Sequence, residues 1–75
     1  MGLAVLTALS IKGNYPNDIE VSTGGKDSAY AGFIYLMRDG EIRRPLISTQ
    51  AVFETKEAAE TAMNDVIKDC LDFKL

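Results

Sequence analysis

The sequence predicts an α+β fold: a small antiparallel sheet of three to four strands with one C-terminal amphipathic helix packed on one face (β-β-β-β-α). Three observations lead to this prediction. Apolar residues alternate with a period of two early in the chain, Asp39-Gly40 separates two apolar runs, and the apolar period changes to 3.6 after Phe53. The 75 residues suffice for a single domain, 1–75, and no boundary divides them.

The first strands are predicted from alternation. Every second residue of 3–11 is Leu, Val, Thr or Ile, which favours a strand, although the Leu and Ala content of residues 1–12 is also compatible with a helix. Residues 13–18 are rich in turn formers and predict a loop. Residues 19–23 predict a short edge strand, and 23–28 a flexible connection.

The next two strands are predicted to form a β-hairpin. Asp39-Gly40 favours a type I′ turn, in which both central residues need a positive φ. A two-residue turn sets the register and predicts the pairs Arg38–Glu41, Met37–Ile42, Tyr35–Arg44 and Phe33–Leu46. Because Pro45 cannot donate to the ladder, we expect it at a bulge or facing outward, and a bulge would shift the register beyond it.

This register places large apolar side chains on both faces of the hairpin. One face carries Phe33, Tyr35, Met37, Ile42, Arg44 and Leu46, and the other carries Tyr30, Ile34, Leu36, Arg43, Pro45 and Ile47. One helix can cover only one face, and the sequence does not determine which. If the helix covers the Phe33 face, the predicted interface for self-association or a protein partner consists of Tyr30, Ile34, Leu36 and Ile47.

The C-terminal helix is predicted from an apolar stripe with polar residues on the opposite face. Thr55 is the predicted N-cap, and Glu57 lies near the positive end of the helix dipole. The stripe consists of Ala59, Ala62, Met63, Val66, Ile67, Cys70 and Leu71.

The composition argues against an enzyme. The chain has no His, so the commonest general base near neutral pH is missing, and the single Cys70 lies on the apolar stripe as a small core residue. The carboxylates lack the spacing of a calcium loop, and Gly24-Gly25-Lys26 lacks the spacing of a phosphate-binding loop. We therefore predict no catalytic residue, no metal site and no cofactor.

The cellular setting is predicted from cysteine content and hydropathy. One cysteine without a disulfide framework fits a cytoplasmic protein. The opening apolar segment lacks a positive flank and is too short to cross a bilayer, so no membrane association is predicted. A chain of this size buries a small core, which favours a homodimer.

These observations favour a small non-enzymatic protein-interaction module that self-associates through the uncovered sheet face. One alternative is a nucleic-acid-binding module that uses the basic hairpin tip, although the net charge of −3 and the pI of 4.7 disfavour it. Its predicted contacts are Arg38, Arg43, Arg44 and Lys56. A further alternative is an inhibitor of a nucleic-acid-binding protein, whose acidic helix face would carry Glu57, Glu60, Asp65, Asp69 and Asp72.

Overall fold

The computed structural model describes residues 2–38 and 41–74, and all of their side chains except those of 2–4 and 42–44. The elements in chain order are α1 (Gly2–Asn14), β1 (Ile19–Lys26), β2 (Ala29–Arg38), β3 (Glu41–Ser48) and α2 (Lys56–Leu71). The strands form one antiparallel sheet in the order β1-β2-β3. The α+β class and the antiparallel sheet are confirmed, but the order is α-β-β-β-α rather than four strands and one helix.

The segment predicted as the first strand is the helix α1. Leu and Ala are strong helix formers, and residues 3–12 contain no Gly or Pro to interrupt a helix. The last turn carries Lys12, which suits the negative end of the dipole, and the Asn14 amide donates to the Ser10 carbonyl at 2.7 Å. Seven of the nine residues 3–11 are Leu, Ala, Val or Ile, so the period of two reflected composition rather than one apolar face. No helix in the described part of the chain is long and apolar enough to cross a membrane.

The edge strand predicted over 19–23 is confirmed as β1, and it continues to Lys26. The connection predicted as flexible is a tight two-residue turn instead. Asp27 and Ser28 have φ values of 53° and 64°, the positive φ at both central positions that type I′ turns require. Gly25 has a φ of 135°, and a Cβ there would collide with the Ala29 carbonyl oxygen, so this position requires glycine.

The hairpin of β2 and β3 begins in the predicted register and then leaves it. Arg38 pairs with Glu41 and Met37 pairs with Ile42 as predicted, while the Asp39-Gly40 turn lies outside the described residues. Two register shifts follow. Tyr35 therefore pairs with Pro45 rather than Arg44, and Phe33 pairs with Ser48 rather than Leu46. One shift lies next to Pro45, as expected for a residue without an N–H.

The helix α2 confirms the predicted stripe and cap. The Thr55 hydroxyl accepts a hydrogen bond from the Ala58 N–H at 3.0 Å. Ala59, Met63 and Ile67 are buried, and the remaining stripe residues surround them: Ala62, Val66, Cys70 and Leu71. This stripe packs closely on β2.

Both helices lie on the same side of the sheet. Ile11 of α1 joins Ile34 of β2 and Met63 and Ile67 of α2 in one buried cluster. We call the sheet face against the helices the inner face and the opposite face the outer face. The inner face carries Ile19, Val21, Gly32, Ile34, Leu36 and Ile47, and the outer face carries Glu20, Ser22, Phe33, Tyr35, Met37, Pro45 and Ser48.

Candidate interaction surfaces

The predicted interface lies on the inner face, where Ile34 and Ile47 take part in the core packing. Ile34 is fully buried, and Ile47 packs against the same core cluster. Tyr30 and Leu36 are half-buried, and the Tyr30 main chain exchanges hydrogen bonds of 2.8 and 3.0 Å with Phe53. The assumption that the helix covers the Phe33 face is therefore wrong, and the Ile34 side chain has no surface to offer a partner.

Gly32 allows the helix α2 to pack on the inner face of the sheet. A Cβ at this position would lie 2.6 Å from Cγ of Met63 and 3.2 Å from the Ala59 carbonyl oxygen, so the missing side chain lets α2 approach β2 closely. The sequence contained this signal. A glycine between Tyr30 and Ile34 marks the face against which another element can pack.

The outer face carries an aromatic strip, which we define as Phe33, Tyr35 and Met37. The Phe33 and Tyr35 rings are stacked, with centroids 5.9 Å apart and planes inclined by 27°. A ring edge of Phe33 lies over Gly24 of β1, 3.5 Å from where a Cβ would be. All three side chains of the strip are half-buried, so the strip is held in place and still accessible.

A second apolar surface lies on α1, in the segment for which the alternation favours a strand over a helix. Leu6 is 63% exposed and Leu9 is 37% exposed, whereas Ile11 is buried. A helix that is apolar on all sides is normally covered on all sides, so this outward side of α1 is unusual for a surface helix. Apolar residues at both odd and even positions of 3–11 were the sequence signal that could have indicated this exposed apolar surface.

The free edge of β1 is a third surface. The Met37 N–H donates to the Asp18 carbonyl at 2.7 Å, so every second residue from Asp18 onward directs its main-chain groups toward β2. The residues between them, Ile19, Val21 and Thr23, direct theirs away from the sheet. An open cleft of about 230 Å³ lies beside this edge and is lined by Val21, Ser22, Thr23, Lys56 and Glu60.

The basic residues predicted for nucleic-acid contact are spread over the structure. Arg38 is exposed at the end of β2, and the side chains of Arg43 and Arg44 lie outside the described residues. Lys56 lines the cleft beside Thr23, which pairs with Gly32. Gly32 lies six residues before Arg38 on β2, roughly 20 Å along the strand.

The acidic side chains on and next to α2 and the Cys70 thiol are candidates for metal binding and for nucleophilic chemistry in the described part of the chain. The five acidic residues of the predicted inhibitor face, Glu57, Glu60, Asp65, Asp69 and Asp72, are all exposed. Within 2–38 and 41–74, no group of three or more carboxylate or thiol side chains is placed to share a metal ion. Burial, and to a smaller extent the Asp69 carboxylate, raises the pKa of the half-buried Cys70 thiol above its ordinary value of 9.0. This thiol is therefore protonated near neutral pH and is a poor nucleophile.

The chain matches no protein-family model, and neither the curated proteins nor the solved structures contain one significantly similar to it. Its function must therefore be inferred from the three surfaces themselves.

Proposed function

We propose that this protein is a small non-enzymatic interaction module, which self-associates and presents its outer sheet face to a protein partner. One observation carries the proposal. Both helices lie on the inner face, so within the described residues neither helix covers the aromatic strip of Phe33, Tyr35 and Met37.

The outer face has the anatomy of a protein-binding surface. Aromatic residues and Met are enriched at the centres of interfaces, and polar residues form the rim. Here the strip runs along the central strand, with the polar Glu20 and Ser22 on one side and Ser48, together with the apolar Pro45, on the other. Because the two rings already stack on each other, binding would cost little side-chain ordering.

Self-association is supported by the small core and the apolar surface. The buried hydrophobic residues in the described part of the chain are Ala8, Ile11, Ala31, Ile34, Ala59, Met63 and Ile67, and three of these are alanines. A core of this kind supplies only about 3–5 kcal/mol of stability to a domain of this size. Leu6, Leu9 and Val52 remain exposed, and exposed apolar surface favours association.

The absence of histidine and the protonated Cys70 thiol support a non-enzymatic role. Nucleic-acid binding has less support than protein binding. The structure separates Lys56 from Arg38, and the net charge of −3 opposes attraction to phosphate.

The outer-face proposal can be tested by capture from an extract of the source cells with three tagged chains. These are the wild type, Tyr35→Thr, which keeps a β-favouring residue, and Thr61→Ser, a control on the exposed side of α2. We expect the wild type and Thr61→Ser to retain the same partner, and Tyr35→Thr to retain at least about tenfold less, because loss of a central aromatic anchor costs more than about 1.4 kcal/mol. Equal retention by Tyr35→Thr, or no retained partner with any chain, would contradict the proposal.

A further inference from the structure

We propose that a second copy of this chain adds to the free edge of β1, so that the two three-stranded sheets join antiparallel about Thr23 into one continuous sheet. This inference rests on the self-association proposed above and names the surface that performs it. The outer face then remains free for a different protein.

The two edges of the sheet are not equally protected against pairing. The edge strand β3 contains Pro45 and two register shifts, which interrupt the regular row of donors and acceptors. β1 contains no Pro, and it pairs with β2 without a shift from Ile19 to Lys26. An added strand therefore finds on β1 a run of pairs without a shift, in which Gly25 near the end is the residue with a positive φ, and on β3 a ladder interrupted twice.

The main chain of β1 is oriented to receive that strand. The Met37–Asp18 hydrogen bond fixes which residues of β1 bond to β2. The residues between them, which include Val21 and Thr23, direct their N–H and C=O groups away from β2. An antiparallel second copy centred on Thr23 makes Thr23 a hydrogen-bonded pair with its own symmetry mate. It also pairs Val21 with Gly25 of the second copy, and the symmetry repeats that pair.

The charged residues of β1 favour a second copy of this chain as the partner, paired antiparallel about Thr23. Glu20 and Lys26, the charged residues of β1, lie at equal distances on either side of Thr23. Both are exposed, and both have the outer-face parity. Antiparallel pairing about Thr23 places Glu20 of each copy directly opposite Lys26 of the other, whereas parallel pairing in register would place like charges together.

The helix side of the β1 edge is open as well. The open cleft lies along the edge between Val21–Thr23 and the first turns of α2. A two-fold axis through Thr23 brings the two clefts together. Lys56 and Glu60, which carry opposite charges, line this cleft in each copy.

The test exploits this charge symmetry by native mass spectrometry and size-exclusion chromatography with light scattering at low salt. In Glu20→Lys and in Lys26→Glu, both cross-strand pairs become like-charged, and we expect each variant to dimerise roughly tenfold more weakly than the wild type. An equimolar mixture of the two variants restores opposite charges at both pairs, so we expect the heterodimer to form with nearly wild-type affinity. The double variant Glu20→Lys/Lys26→Glu should also dimerise like the wild type.

A main-chain variant provides an independent readout. Thr23→Pro removes an N–H that points away from β2, so the sheet within one copy should persist, which circular dichroism would verify. We expect its dimer to be at least about a hundredfold weaker, because the ring blocks the central pair. A dimer that survives Thr23→Pro, or a variant mixture without heterodimer preference, overturns the inference. Loss of that dimer in Tyr35→Thr would then place self-association on the outer face and leave only the self-association part of the proposed function standing, whereas a monomeric wild type would overturn self-association itself.

Discussion

The two faces of the sheet differ although the same strand, β2, supplies both. On the inner face, Gly32 leaves space for Met63 of α2, and the Ile34 side chain is fully buried against residues of both helices. On the outer face, Phe33 and Tyr35 stack on each other and stay half-buried. Alternate residues of one strand thus have different surroundings: one set packs against the helices, and the other keeps part of its surface accessible.

The largest expected effect is a difference in the free energy of unfolding between substitutions on the inner face and on the outer face. Ile34→Ala should lower the free energy of unfolding by about 2–5 kcal/mol, because it removes buried methyl groups and leaves a cavity. Tyr35→Thr should lower it by no more than about 1 kcal/mol, because the ring keeps part of its surface in water. Urea unfolding followed by circular dichroism measures both values. Equal losses would show that the outer strip stabilises the fold as much as the inner face does.

A smaller effect is expected from the glycines of the two faces. Gly32→Ala should cost about 1–3 kcal/mol, because the new methyl group meets Met63 and the Ala59 carbonyl. Gly24→Ala is the matched control. Its Cβ would make an ordinary contact of 3.5 Å with the Phe33 ring on the outer face, so the change should stay within about 0.5 kcal/mol. The same urea titration decides, and a Gly32→Ala variant as stable as the control would refute the close approach of α2.

Much of the fold could be predicted from local patterns. The stripe and cap of α2 follow from a 3.6 period and Thr55, and both are local properties of the chain. The start of the hairpin register follows from a two-residue turn. The register beyond the Met37–Ile42 pair could not be predicted in full. The shift nearer the turn falls at Arg43, where neither Pro nor Gly indicates a bulge. A strand was favoured over a helix for the α1 segment because its apolar residues satisfy both periods, and the Leu and Ala content that left a helix open agrees with the structure.

The candidate surfaces were less predictable than the fold. The covered face depends on two helices rather than one and on the space at Gly32, so the interface expected at Tyr30, Ile34, Leu36 and Ile47 became part of the core side. The free edge of β1 could be anticipated as an edge. The main-chain groups of β1 that point outward are those of the residues that do not hydrogen-bond to β2. The set of bonded residues depends on how β1 pairs with β2, which the local sequence does not determine.

Sedimentation equilibrium of the wild-type chain tests most directly whether these surfaces bring chains together. The chain has a mass of 8.2 kDa. We predict that the average mass rises across the micromolar range toward twice this value. A constant mass of 8.2 kDa at every concentration would contradict self-association.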